Sequence, residues 1–109
     1  MNVKRGDLVI VAVSGDYGKP RPALVIQADV FEAVPSVTVA PLTSELYKAP
    51  LLRVTIQAGP STGLRKLSQA MVDKITTVPR FKIGQRIGSV EASTMRVVNQ
   101  AIRGFLDLE

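Results

Sequence analysis

The chain has 109 residues, 46% of them apolar, and contains neither cysteine nor histidine. That length and apolar content suit a single domain over residues 1–109 with a real core. The two absences exclude a disulfide framework, a thiolate nucleophile, a cysteine- or histidine-based metal site and a histidine general base. The net charge of +5 favours polyanionic partners, and it is uneven: between Lys48 and Arg86 a run of basic residues faces one acid, Asp73.

In chain order, Asp7 to Val13 is apolar and β-branched, as a buried strand is. Ser14 to Pro20 has the composition of a turn. Pro20-Arg21-Pro22 reads as a stiff cationic turn, because two fixed φ angles leave Arg21 few alternatives. It feeds an apolar strand over Ala23–Gln27. A third strand, Val37 to Pro41, is expected to stop at its proline, which cannot donate to a ladder, and Leu42 to Glu45 opens a loop. Arg53 to Gln57 alternates polar and apolar residues, predicting a strand with one wet face. Ala58 to Gly63 is a Gly/Pro/Ser loop. Leu67 to Ile75 and Ile83 to Val90 are further strand candidates. Met95, Val98, Ile102 and Phe105 recur at helical spacing, with Ala101 and Leu106 beside them, so the tail is a helix packed on the sheet. Ser93 or a neighbour can cap it, and Glu91 suits its positive end. Short strands followed by one helix define an α+β fold built on a small antiparallel barrel or half-barrel. The apolar run after Leu8 is too short for a signal peptide and no run reaches membrane-spanning length, so a cytoplasmic protein without a membrane partner is expected.

Candidate chemistry gathers at few positions. The acids are scattered, with no cluster to hold Mg²⁺, so the reading is of a site with no metal and no cofactor. Arg21 can grip a phosphate through two parallel charge-assisted hydrogen bonds, or it can form a surface salt bridge. Thr43 and Ser44 offer hydroxyls to a phosphate or cap the turn after Pro41. Tyr17 and Tyr47, in expected loops, can each stack one base.

On these residues the chain resembles the MazF/PemK-type toxins of toxin–antitoxin pairs. Lys4-Arg5-Gly6-Asp7-Leu8-Val9 resembles that family's opening strand, and Arg21-Pro22-Ala23-Leu24-Val25-Ile26 its "RPxLVI" signature. Ala40-Pro41-Leu42-Thr43-Ser44 resembles "xPxTS", and Ser68-Gln69-Ala70-Met71-Val72-Asp73 lies where the family has a "DQxRTID" run. The resemblance implies an SH3-like antiparallel β-barrel with a C-terminal α-helix, a homodimer, and a cognate antitoxin. It further implies metal-independent, sequence-selective cleavage of single-stranded RNA through its own 2′-OH, leaving a 2′,3′-cyclic phosphate and a 5′-OH. Arg21 and Thr43 fall on the catalytic positions; Asp16, Tyr17, Lys19, Ser44, Lys66 and Ser68 are the RNA-binding candidates. The chain departs from the family pattern at Pro20, in its short first loop, and at Ser68, which replaces the acid of the "DQ" pair. Two rival readings remain: a gyrase poison of the CcdB type, which shares the barrel, and a catalytically weak RNA- or protein-binding barrel.

Overall fold

The protein is described by a computed structural model over residues 2–12 and 19–109. Its strands are β1 (Asp7–Ala12), β2 (Pro20–Val25), β3 (Ser36–Thr43), β4 (Arg53–Ile56), β5 (Ser68–Met71), β6 (Thr76–Pro79) and β7 (Ile83–Ser89), and helix α1 (Ala92–Phe105) follows. They form a seven-stranded sheet in the order β4-β5-β3-β2-β1-β7, with β6 attached to β3. Every pairing is antiparallel. The α+β class stands as read, but the sheet is not a closed barrel. The segment between β4 and β5 lies against β7 instead of a ladder: the Ser89 amide donates to the Ser61 carbonyl at 3.0 Å.

Side-chain alternation divides the core between two faces. Leu8, Leu24, Ala40, Leu42, Val54 and Ala70 pack with Val98 and Ala101 of α1. Val9, Val11, Ala23, Val25, Val37 and Val39 point the other way and pack with Val3 and Val78. Strand β1 is therefore buried on both faces, which explains its unbroken apolar run.

Three expectations require correction. Pro20, Arg21 and Pro22 lie inside β2, opposite Ala12, Val11 and Ile10 of β1, and not in a turn. The ladder from β2 to β3 starts only at Ala23. The prolines, which share one edge by alternation, thus occupy a stretch where β2 has a single ladder partner. Pro41 does not end its strand either: it is buried within β3 and faces Ala23. On its other edge β3 pairs with β6 through Ser36–Val39 and with β5 from Leu42, so Pro41 falls in the gap between two partners, where no donor is required. The expected strand over Leu67–Ile75 keeps only Ser68–Met71; Val72–Lys74 is a 3-10 turn, and β6 follows it.

In α1 the buried residues are Val98 and Ala101, while Phe105 is largely exposed. Glu91 is the N-cap residue without a side-chain capping bond, and the Ser93 hydroxyl bonds the Glu91 carboxylate at 3.3 Å instead of capping the helix.

Gly63 has φ +72°, and a Cβ there would stand 2.0 Å from the Ile87 carbonyl oxygen. Gly63→Ala should therefore cost on the order of 3 kcal/mol through steric overlap and left-handed backbone strain. Gly104→Ala, in α1 with open space around the new methyl, should gain about 0.5–1 kcal/mol. Urea unfolding of the two variants checks this pair of opposite signs.

Candidate nucleic-acid interface

The β2–β3 register pairs Ala23 with Pro41. The pairing ends there; two residues further on, β2 carries Arg21 and β3 carries Thr43, at equivalent register positions. Thr43 in turn pairs with Gln69 of β5, and Gln69 with Thr55 of β4. A polar row thus crosses β2, β3, β5 and β4. By alternation it lies on the sheet face opposite the residues that pack under α1. Two separate sequence signatures, one around Arg21 and one around Thr43, thus fall at equivalent positions just past the end of the β2–β3 ladder.

Arg21 is exposed on its strand. The Thr43 oxygen accepts the Glu45 amide at 3.0 Å, which is the turn-capping role. That contact uses a lone pair and leaves the hydroxyl proton available to donate. Ser44 is exposed in the bend that follows. Lys19, Lys66, Lys48 and Arg65 are exposed as well. Ser68 differs from the other candidates: it is buried, and its hydroxyl donates to the Lys66 carbonyl at 2.9 Å. It thus shapes the backbone that carries Lys66. Asp16 and Tyr17 lie outside the described residues.

Gln69, not singled out by sequence reasoning, is a joint of this row. It is only 7% exposed. Its carboxamide oxygen accepts the Tyr47 amide at 3.0 Å, and its nitrogen donates to the Tyr47 carbonyl at 2.9 Å. One buried side chain therefore holds the loop after Thr43 by both backbone groups of a single residue. Its only sequence signal was its place in the Ser68-Gln69 pair.

Behind that loop, Arg53 binds Asp73 through Nε–Oδ1 at 3.0 Å and Nη2–Oδ2 at 3.2 Å. The same guanidinium lies over the Tyr47 ring, 5.1 Å from its centroid. The hydrogen bond from Arg53 holds the Asp73 carboxyl below its ordinary value of 3.8, against the opposing effect of burial. Asp7 is likewise engaged: one oxygen meets Arg86 Nε at 3.0 Å and the other accepts the Lys4 amide at 2.8 Å. Both acids serve the fold.

A polar row ending in the exposed Arg21, with the exposed cations Lys19, Lys48, Arg65 and Lys66 on the neighbouring segments, suits a polyanionic partner. The comparisons place the chain more narrowly. Residues 4–106 match the family model described as the PemK-like, MazF-like toxin of type II toxin–antitoxin systems, and the chain belongs to that family. It is 45% identical over 107 residues to the probable endoribonuclease MazF of Mycolicibacterium smegmatis, covering 97% of this chain and 98% of that one. Its fold superposes on the Mycobacterium tuberculosis toxin MazF-mt6 with a TM-score of 0.83 at 28% identity, covering 94% and 98% of the two chains. An endoribonuclease solved in complex with its cognate antitoxin, from a mycobacterial species, has the same fold, with a TM-score of 0.76 at 24% identity over 99% of this chain and 96% of that one. Among the described residues no helix is long and apolar enough to cross a membrane.

Asp73→Asn should destabilise the protein by about 2–3 kcal/mol at neutral pH, since it leaves the Arg53 charge poorly matched in a largely buried position. Because the folded state holds the Asp73 pKa below its unfolded value, the pair's contribution is complete above about pH 4 and is lost as pH falls through the lower, folded value. The variant should accordingly show a shallower loss of stability in acid, checked by urea midpoints measured from pH 2 to pH 7.

Proposed function

We propose that this chain is a metal-independent endoribonuclease toxin that cleaves single-stranded RNA, acts as a homodimer and is neutralised by a cognate antitoxin. The reading is carried by Arg21 and Thr43 falling at equivalent register positions of β2 and β3, two residues beyond their last ladder pair, in a chain whose relatives are named endoribonucleases. The chemistry asks little of the side chains, because RNA brings its own nucleophile. The 2′-oxygen bonds to phosphorus, the bond from phosphorus to the 5′-oxygen breaks, and the products are a 2′,3′-cyclic phosphate and a 5′-OH. One proton leaves the 2′-OH for a base and one is taken up by the departing 5′-oxygen.

Arg21 is suited to the charge that builds on the non-bridging oxygens, since its fixed cation and planar fork match a phosphate. It holds its own proton too firmly to act as the acid. Thr43 has a hydroxyl proton to give to a phosphate oxygen while its lone pair stays on the Glu45 amide. Asp7 and Asp73 are engaged by arginines, and Asp16, which stands in the sequence between β1 and β2, is a candidate to act as the base or to bind the substrate. Lys19 and Lys66 contribute positive charge along the path of the strand.

Purified protein should cut a long single-stranded RNA at a recurring short sequence in buffer containing EDTA, leaving cyclic phosphate and 5′-OH ends. Arg21→Ala should lower kcat/KM by about a hundredfold to a thousandfold, the scale of losing one charge-stabilising donor. Cleavage that stops on chelation and returns with a divalent cation would overturn the metal-independent chemistry. Growth arrest by Arg21→Ala with intact RNA would favour the gyrase-poison reading.

A further inference from the structure

Tyr47 stands in the loop that follows Thr43, and the residue is 55% exposed. Exposed loop aromatics are common, but this one is held unusually well. Gln69 fixes its backbone from both sides, and Gln69 is itself locked in the ladder between Thr43 and Thr55. The Arg53 guanidinium lies over one side of its ring, and the Arg53 side chain is only 10% exposed. Arg53 Nη1 is buried without a hydrogen-bond partner. A buried, orphaned cationic nitrogen is costly, and the negative face of an aromatic ring over the guanidinium offsets part of that cost. With Nε and Nη2 on Asp73, the three side chains form a stack, Asp73 to Arg53 to Tyr47, that braces the ring.

We infer that Tyr47 is the base-stacking platform of the RNA site, taking a nucleobase next to the scissile phosphate on its exposed surface, and that Gln69 and Arg53 are positioning residues for it. Three considerations support this. Ring, Thr43 and Gln69 are tied into one unit, so a base stacked on Tyr47 is held in fixed register with the hydroxyl of Thr43. A cation on one face of the ring withdraws electron density and strengthens stacking of an electron-rich base on the other. The ring is ordered before RNA arrives, so little side-chain entropy remains to be lost on binding. The exposed cations Lys48 and Lys66, which lie on the loops beside Tyr47 and Gln69 in sequence, suit the flanking phosphates.

The inference rests on the nuclease reading, and the test keeps the two apart. The chain has no tryptophan, so Tyr47→Trp places a single fluorophore at the platform. Its emission should be quenched by a single-stranded oligonucleotide carrying the mapped cleavage sequence with a 2′-deoxy sugar at the cut. Tyr47→Ala should raise KM roughly tenfold to a hundredfold, the scale of losing one stacked base, with kcat changed far less and Tyr47→Phe close to wild type. Replacing one particular nucleotide by an abasic site should weaken wild type equally and Tyr47→Ala no further. Gln69→Ala should raise KM and add nothing in the Tyr47→Ala background. Cleavage by Tyr47→Ala with unchanged KM, or an abasic penalty that persists in it, would overturn the platform while leaving the nuclease intact. Should the wild type cut no RNA, the nuclease reading falls, and quenching of Tyr47→Trp by short RNA homopolymers still decides the stacking: no quenching by any of them overturns it.

Discussion

Strand β3 changes partners halfway along one edge, and the rest of the molecule depends on that change. Up to Val39 it is bonded to β6; from Leu42 it is bonded to β5. Ala40 and Pro41 span the interval, and a proline is well suited there because it has no amide to leave unpaired. The switch turns the sheet so that β5 and β4 continue beyond the end of the β2 ladder. Without it Thr43 would extend past the last pair of its sheet with nothing on its far side. With it, Thr43 has Gln69 on one edge and, toward β2, the register position equivalent to that of Arg21.

The same geometry places the polar row on the sheet face away from α1, beside the second core cluster. Leu42 and Ala70 point into the core beneath α1, while their neighbours Thr43 and Gln69 point away from it. The acids that sit close to the fold's joints are matched to arginines, Asp7 to Arg86 and Asp73 to Arg53. Matching neutralises those carboxylates together with their arginines, so the excess positive charge of the chain is left on its other cations. Structural ion pairing thus sharpens the electrostatic character that net charge alone gives only in aggregate.

Much of this was legible in the sequence, and the exceptions are instructive. The apolar run of β1, the alternation of β4 and the helical spacing of α1 are local patterns, and each appears where its period predicts. The prolines misled, because their cost depends on whether a partner strand faces the missing amide, and that is a property of the sheet and not of the residue. Pro20, Pro22 and Pro41 all sit where one edge of the strand is unoccupied. Strand β6 was missed since four residues framed by turns carry too little periodicity to be read. At the site, Arg21 and Thr43 were visible as motif residues, but their equivalent placement on β2 and β3 follows from register. Gln69 is chemically unremarkable in a list of residues; only the two bonds to Tyr47 reveal its task. Ser68, read as an RNA contact, proved to be turned inward toward the Lys66 carbonyl.

The central claim is that Arg21 and Thr43, at equivalent register positions of β2 and β3, act on one phosphate. A double-mutant cycle on RNA cleavage, with Arg21→Ala, Thr43→Val and the combined variant measured alongside wild type, tests it most directly. Groups acting on the same transition-state charge should be non-additive, with a coupling energy above about 1 kcal/mol and a double variant little worse than the poorer single one. Losses that simply add, in variants whose unfolding midpoints match wild type, would mean that the two residues act independently and would contradict the account.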